Sequence, residues 1–229
     1  MKAMLYTLAV TVLLGLPGSQ AWATTATPMQ LLKDTQKKVE ALLEKKIASK
    51  DTKAKKKREK DIKKLVRPFF NYNMLAKQTL GSHWKKLKPE QRKTFVFWFR
   101  ELLQQAYVQG IRDRRATKKN REKVKLNYRK EKVRGKRATV FTRVKYKVKR
   151  RNRMRWKKVR IDWDFIKVNN VWKVSDITTN DTSLMETYQE NFDKIIRKKS
   201  FKRLIEKLSK KVNELRKKQN LPALTGPSK

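Results

Sequence analysis

The spacing of hydrophobic positions divides this chain into a helical beginning, a strand-rich middle and a helical end. Between Met29 and Ile47, apolar residues recur at helical intervals among Lys and Glu, which predicts an amphipathic helix. A second long helix is predicted to begin at Pro89-Glu90 and to run to about Val108. Its apolar arc is wider than one stripe, so we expect this helix to be buried on more than one side.

In the middle of the chain the apolar residues alternate with polar ones, which is typical of strands with one buried face. Gly135 and Asn169-Asn170 lie between such runs, where tight turns are expected. The pattern therefore predicts an antiparallel meander of about four strands. The four runs cover residues 124–128, 140–148, 159–165 and 171–177.

Helical spacing returns after the last run. Asp181-Thr182-Ser183 offers side chains that cap a helix N-terminus, and Ser200 precedes a further amphipathic stretch. Residues 219–229 have the composition of a disordered tail. We predict the α+β class, with N- and C-terminal helices packed against one antiparallel sheet in a single domain, residues 24–218.

The first 23 residues have the pattern of a secretory signal peptide. Met1-Lys2 is a short positive start, Ala3 to Leu16 is an apolar run, and Ala21-Trp22-Ala23 places small residues at −3 and −1 of a cleavage site before Thr24. The apolar run is shorter than the roughly 18 to 20 residues that a membrane-spanning helix needs. We therefore predict cleavage after residue 23 and a soluble, exported protein.

The charge of the chain is strongly positive, with 63 Lys and Arg against 20 Asp and Glu and a formal net charge of +43. Such an excess suits the neutralisation of phosphate. In an exported protein, lipid headgroups and other anionic envelope material are the expected counter-charges. Lys and Arg are densest in residues 50–64, which we interpret as a linker or helix extension.

Few residues are available for chemistry. The chain has no Cys and one His, which excludes disulfides, a Cys/His metal cluster and a Cys–His nucleophile pair. Asp162 and Asp164 share one strand face and suggest either a glycosidase-like acid pair or a salt ladder to neighbouring cations; we favour the ladder. His83 is interpreted as structural. No Ser-centred elbow, P-loop or metal motif is present, so we predict no enzyme, no metal and no cofactor.

Two blocks of sequence resemble the MlaC, or toluene-tolerance, family of periplasmic phospholipid-binding proteins. The first, 69–111, has a Leu-Gly-x-x-Trp turn and a Pro-Glu-Gln-Arg helix start; the second, 171–208, has a Trp-Lys-Val-x-Asp strand and a Phe-x-x-Leu-Ile-x-x-Leu close. One departure is Asn71, where the family usually has Asp. The matching positions are Leu80, Gly81, Trp84, Pro89 to Arg92, Phe95, Phe99, Leu102, Leu103, Tyr107, Trp172, Lys173, Val174, Asp176, Ser183, Leu184, Tyr188, Phe192, Phe201, Leu204, Ile205 and Leu208.

The resemblance implies a fold that encloses an apolar lipid pocket. It implies a carrier that shuttles phospholipid between an outer-membrane lipoprotein complex and an inner-membrane ABC transporter complex of a lipid-asymmetry system. Its expected partners are the phospholipid cargo, those two complexes and the surface of anionic membranes, without nucleic acid. The alternative from another class is an exported protein that binds a polyanion, either nucleic acid or anionic polysaccharide, through its basic strand face.

The inward strand faces and the widely apolar helix are the expected walls of a lipid pocket. Two acyl chains of about sixteen carbons represent about 25 kcal/mol of apolar transfer, at about 0.8 kcal/mol per CH₂, so the pocket must be deep. The same residues could instead pack together as a solid core. The candidates are Phe95, Phe99, Leu102, Val144, Tyr146, Ile161, Trp163, Tyr188 and Phe192.

Overall fold

The computed structural model describes residues 26–48, 51–115, 125–150 and 153–227, so the predicted signal peptide lies outside the described residues. Within these ranges the chain forms seven α-helices. They are α1 (Pro28–Glu44), α2 (Thr52–Val66), α3 (Tyr72–Leu80), α4 (His83–Lys86), α5 (Pro89–Arg115), α6 (Leu184–Lys198) and α7 (Phe201–Lys218), and a 3-10 turn, Arg67–Phe69, lies between α2 and α3. Among the residues searched, no helix is long and apolar enough to cross a membrane.

The strands form one antiparallel sheet in the order β1-β2-β3-β4-β5. This confirms the α+β class and the predicted meander, to which the structure adds a fifth strand of two residues. Asn169 and Asn170 both have positive φ, 48° and 61°, as a tight two-residue hairpin turn requires. The strands are β1 (Lys125–Arg134), β2 (Arg137–Arg150), β3 (Arg153–Val168), β4 (Val171–Thr179) and β5 (Thr182–Ser183).

Side-chain caps fix where several helices begin. The Ser183 hydroxyl accepts a hydrogen bond from the backbone N–H of Glu186 at 3.0 Å, which confirms the predicted start of α6. Asn71 accepts one from the N–H of Met74 at 3.1 Å and caps α3. An amide oxygen therefore does the capping that a carboxylate would do there, which explains why Asn is tolerated at this position.

One face of the sheet is turned towards the helices. Along β2, Ala138, Val140, Thr142 and Val144 are buried in strict alternation. In the register of β2 with β3, these residues lie opposite 165, 163, 161 and 159. The helical layer meets the sheet through α1, α6 and the 3-10 turn, while α5 packs mainly against α7. The core therefore lies between the helices and this one face.

The Lys-rich segment is a separate helix, α2, rather than a flexible linker. Its start is capped by Asp51, whose carboxylate accepts a hydrogen bond from the N–H of Ala54 at 2.8 Å. One side of α2 buries Ile62 and Val66, and the opposite side keeps its lysines in water. The division into buried and exposed sides is that of an amphipathic helix, although most of its residues are cationic.

Buried charges attach α2 to the rest of the helical layer. The guanidinium of Arg216 on α7, whose side chain is only 3% exposed, donates from both terminal nitrogens to the carboxylate of Glu59. The ammonium of Lys63 lies 3.1 Å from Glu59 and 2.8 Å from the carboxylate of Glu101 on α5. Three helices are thus joined by one network of opposite charges.

The end of the chain is packed along α7. The side-chain amide of Asn213 donates to the carbonyl of Leu224 and accepts from its N–H, at 3.1 and 2.9 Å, and the Arg216 Nε donates to the carbonyl of Pro222 at 2.6 Å. Leu221 is buried. Residues 219–227 therefore differ from the disordered tail that their composition predicts, because these hydrogen bonds and the buried Leu221 hold them on the helix.

Candidate functional site

Four of the nine candidate residues form an aromatic cluster between α5 and α6. Phe95 and Phe99 stack at 5.5 Å between ring centroids, and Tyr188 and Phe192 stack at 5.3 Å. The two pairs meet edge to face, at 5.4 to 5.7 Å. Phe95 and Phe99 are completely buried, and burial raises the pKa of Tyr188. These four rings are covered by one another. They pack as the solid core that was the alternative to a lipid pocket.

Trp163 belongs to a second aromatic cluster, which lies on the helix-facing side of the sheet. Its ring centroid is 6.4 Å from Phe69 and 6.4 Å from Tyr107, and Phe70 lies 5.2 Å from Phe69 and 6.3 Å from Tyr107. Phe69 and Phe70 are buried, whereas Trp163 and Tyr107 are half-buried. This sheet-facing cluster, Phe69, Phe70, Tyr107 and Trp163, thus presents aromatic surface that the neighbouring described side chains cover only in part.

The aliphatic candidates on the strands continue the same face. Val144 is buried and Ile161 is half-buried. Ile161 lies opposite Thr142, whose hydroxyl donates to the Ile161 carbonyl at 2.6 Å. The one polar residue among the four buried positions of β2 therefore has its hydroxyl satisfied. The side chain of Tyr146 lies outside the described residues. Leu102 is buried on α5, between Phe99 and Tyr107 in the sequence.

Sequence reasoning missed Phe69, Phe70 and Tyr107. Phe69 ends the short 3-10 turn and Phe70 follows it, and Phe70 forms an isolated parallel bridge with Val174 of β4. This bridge brings them to the sheet although more than one hundred residues separate the two positions. Tyr107 is on the apolar arc of α5, so its spacing indicated burial but not contact with Trp163. The aromatic start of the first family-like block was the signal that could have identified the phenylalanines.

The opposite face of the sheet holds the two carboxylates that suggested acid chemistry. The Asp162 carboxylate lies 3.0 Å from Nε of Arg160 and 4.0 Å from a guanidinium nitrogen of Arg143, and Asp164 accepts a hydrogen bond from the Thr139 hydroxyl at 2.6 Å. Burial raises the pKa of Asp162, while the two arginines act to lower it. The ion pairs of Asp162 are of the kind that the ladder interpretation predicts, whereas Asp164 is bonded to a hydroxyl group. Both residues alternate with Trp163 along β3 and therefore lie on the face away from the aromatic clusters.

The turn between α3 and α4 contacts α6. Gly81 ends α3 with φ of 51°, and a Cβ atom built there would lie 3.1 Å from the side-chain amide nitrogen of Gln189 on α6. Nε2 of His83 lies 2.9 Å from the carboxylate of Asp193, which also pairs with Arg197. These two contacts lower the pKa of Asp193. The single histidine is thus part of a structural contact between helices.

Asp176 connects β4 to α6 through one carboxylate. It accepts hydrogen bonds from the Ser183 hydroxyl at 2.5 Å, from the N–H of Ile177 at 2.6 Å and from the N–H of Met185 at 3.1 Å. The negative charge lies at the N-terminus of α6, where the helix dipole favours it. This explains physically why the strand motif ends in Asp and is followed by Ser at a fixed distance.

The residues that the structure describes contain no group of His, Asp or Glu that could hold a metal ion.

The MlaC protein family model matches residues 33–210. A solved structure with a similar fold is the phospholipid-binding protein from Ralstonia solanacearum in complex with a phospholipid: it is 19% identical, the TM-score is 0.57, and the match covers 82% of this chain and 95% of that one. At this identity the likeness shows the fold alone. No curated protein matches the sequence.

Proposed function

Since this chain belongs to the MlaC family, we propose that it is a periplasmic phospholipid carrier without catalytic activity. It would move lipid between the outer and inner membranes for an ABC-transporter-based lipid-asymmetry system. Its docking partners would be an inner-membrane transporter complex and an outer-membrane lipoprotein complex. The phospholipid of the Ralstonia protein, which shares the fold, supports the choice of ligand class.

The observation that carries this proposal is the incompletely covered aromatic surface between the sheet and the helices. Trp163 and Tyr107 are half-buried although they lie on faces that point into the molecule, and Ile161 on the same strand face is half-buried as well. Val144 extends the apolar surface towards the end of the buried stretch of β2. Acyl chains that cover these groups would gain about 25 cal/mol for each Å² removed from water.

The two clusters have different parts in this proposal. The sheet-facing cluster, with Val144 and Ile161, is the proposed lipid wall. The rings of α5 and α6 pack against one another, Phe95 edge to face on Phe192, and would support this wall as part of the solid core. Leu102 is buried on α5 and is not assigned to either group. The proposed lipid wall therefore includes only some of the nine candidates that the sequence pattern predicts.

The first experiment is purification of the chain from Thr24 onward out of a bacterial periplasm without detergent, followed by native and denaturing mass spectrometry. We expect one diacyl phospholipid per protein molecule. Protein that is repeatedly free of lipid and takes up none from vesicles would overturn the carrier proposal. Binding of single-stranded DNA or anionic polysaccharide by that lipid-free protein would favour a polyanion binder, whose cations would be those of the outer sheet face.

A pair of matched variants locates the lipid. Ile161→Trp adds volume on the proposed lipid wall, and Val171→Trp adds the same kind of side chain at a position that is 48% exposed. We expect the first variant to lose most of its bound lipid and the second to retain it, with equal circular dichroism spectra. Equal lipid content in the two variants would place the ligand elsewhere.

A further inference from the structure

The two central strands extend beyond their neighbours at one end of the sheet. Pairing of β2 with β3 continues from Lys145↔Lys158 to Arg150↔Arg153. Within the described residues, β1 pairs with β2 only as far as Lys125↔Lys145, and β4 pairs with β3 only as far as Ile161↔Thr179. In the part of the chain that the structure describes, residues 145–150 and 153–158, the basic ribbon, therefore extend past their neighbours as a two-stranded element. At about 3.3 Å per residue the projection is about 17 Å long.

The composition of the basic ribbon is that of a surface for anions with an apolar component. Eight of its twelve residues are Lys or Arg, none is Asp or Glu, and the other four are Tyr146, Val148, Met154 and Trp156. Four of its side chains are described, Lys145, Arg155, Trp156 and Lys158, and all four are exposed. Trp156 is 48% exposed, one of the three large apolar side chains that reach such exposure in the described part of the chain.

We propose that the basic ribbon is a docking element for the surface of a bilayer that contains anionic phospholipid. Lys and Arg near such a surface are attracted by its negative potential, which is worth about 1 kcal/mol for each cation. An indole ring is most stable at the boundary between headgroups and hydrocarbon, where its apolar body is covered and its N–H stays hydrated. A projecting strand pair can bring both kinds of side chain to one plane.

The position of the ribbon favours a membrane over other polyanions. Its strands continue those that hold Val144 and Ile161, the proposed lipid wall, and the ribbon begins at the residue after Val144. Docking here would place one end of that wall against the bilayer. The role of docking in lipid exchange rests on the proposed carrier function. Docking itself can be measured without lipid transfer.

The test is co-sedimentation of the protein with vesicles of phosphatidylcholine alone and of phosphatidylcholine mixed with phosphatidylglycerol. We expect binding to the mixed vesicles at about 0.1 M salt and little at about 1 M, where the Debye length falls to about 3 Å. The double variant Arg155→Glu/Lys158→Glu should lower the partition coefficient at least about tenfold. Trp156→Ala should lower it about fivefold, the loss expected for one interfacial aromatic side chain.

Matched variants separate the ribbon from net charge and from general apolar exposure. Lys53→Glu/Lys57→Glu makes the same change of charge on the exposed side of α2, and Val133→Ala removes an exposed apolar side chain from β1. We expect both to change the partition coefficient less than about threefold, a change of about 0.6 kcal/mol or less. Lipid content by native mass spectrometry should stay unchanged in the ribbon variants, so that loss of docking and loss of cargo are measured separately.

Three results would overturn the proposal. Wild-type protein that does not sediment with the mixed vesicles at low salt would remove the membrane as the partner. An equal loss in the α2 and ribbon double variants would assign binding to net charge alone. Failure to bind those vesicles together with ribbon-dependent binding of single-stranded DNA would assign the ribbon to a nucleic acid. In each case cargo in the purified protein would still support the carrier function.

Discussion

Replacement of Arg216 by Met removes the cation that joins α7 to α2. In the native protein the guanidinium contacts the Glu59 carboxylate, and its Nε donates to the Pro222 carbonyl at 2.6 Å. The side chain is 3% exposed, so water cannot take the place of either partner. Removing one member of a buried ion pair costs about 3 to 5 kcal/mol. The Lys63 ammonium stays 3.1 Å from Glu59 and compensates part of the charge, so we expect about 3 kcal/mol.

The expected loss is large enough to measure in two ways. For a domain of this size, 1 kcal/mol corresponds to about 2 to 4 °C in the midpoint of thermal unfolding, so the midpoint should fall by about 6 to 12 °C. Guanidinium unfolding followed by circular dichroism gives the free energy directly. Arg203→Met on the same helix is the matched control. Its pair with Glu206 is about half exposed on both sides, and its loss should cost less than about 1 kcal/mol.

The pH dependence of the Arg216→Met effect has a definite sign. Burial acts to raise the pKa of Glu59, but the hydrogen bond from Arg216 and the charges of Lys63 and Arg216 outweigh it and lower that pKa. The stability that the folded carboxylate contributes is present above its unfolded pKa of about 4.3 and is lost as pH falls through the folded value. The difference between wild type and Arg216→Met should therefore shrink below about pH 4.

A double-mutant cycle decides whether the pair itself is responsible. The losses of Glu59→Gln and Arg216→Met should add up to about 1 to 3 kcal/mol more than the loss in the double variant, because each single variant leaves a buried partner. A cost of Arg216→Met below about 1 kcal/mol, or strictly additive losses, would refute the view that this charge pair fixes α2 on the helical layer.

Three further changes test the supports of the helical layer. Asp176→Ala should cost about 2 to 3 kcal/mol, measured by denaturant unfolding, because it removes two hydrogen bonds at the start of α6 and one within β4; a loss under 1 kcal/mol would contradict this. Gly81→Ala should lower the free energy of unfolding by about 2 kcal/mol, because an Ala side chain is strained at φ of 51°. Ser82→Ala is the control and should have no effect; equal melting curves for the two variants would contradict the strain. Asp193→Asn should lower stability at pH 7 and have no effect well below pH 4, since the His83 and Arg197 contacts lower the pKa of Asp193. A difference in stability that does not change with pH would show that these contacts to the carboxylate are not its cause.

Local spacing predicted the elements because the signals are carried by neighbouring residues. The amphipathic stretch predicted over 29–47 is α1, Pro28–Glu44, and the helix predicted from Pro89 continues to Arg115. Alternation predicted the four main strands, and Asn169-Asn170 adopt the turn expected of them. Caps such as Ser183 were identifiable because the bond that they make spans three residues.

Part of the candidate site was likewise predictable. Helical spacing identified Phe95, Phe99, Tyr188 and Phe192 as inward residues, and all four meet in one cluster. The spacing of apolar residues predicts that a side chain is buried, but it does not predict which other side chains it contacts. Four mutually packed rings and a half-buried Trp163 give the same spacing pattern in the sequence, so that pattern could not separate core residues from those of the proposed lipid wall.

Contacts between distant segments required the tertiary structure. Phe69 and Phe70 reach the sheet through a bridge to Val174, and the Lys-rich segment is a packed helix because Glu59 meets a cation 157 residues further on. The tail is ordered because Asn213 and Arg216 hydrogen-bond its backbone. By itself the sequence determined which segments are helices and strands, where the turns and helix caps lie, and to which family the chain belongs, since these depend on patterns of residues a few positions apart. Only the tertiary structure decided which faces meet and which aromatic rings stay partly uncovered, because burial depends on what the whole fold brings together.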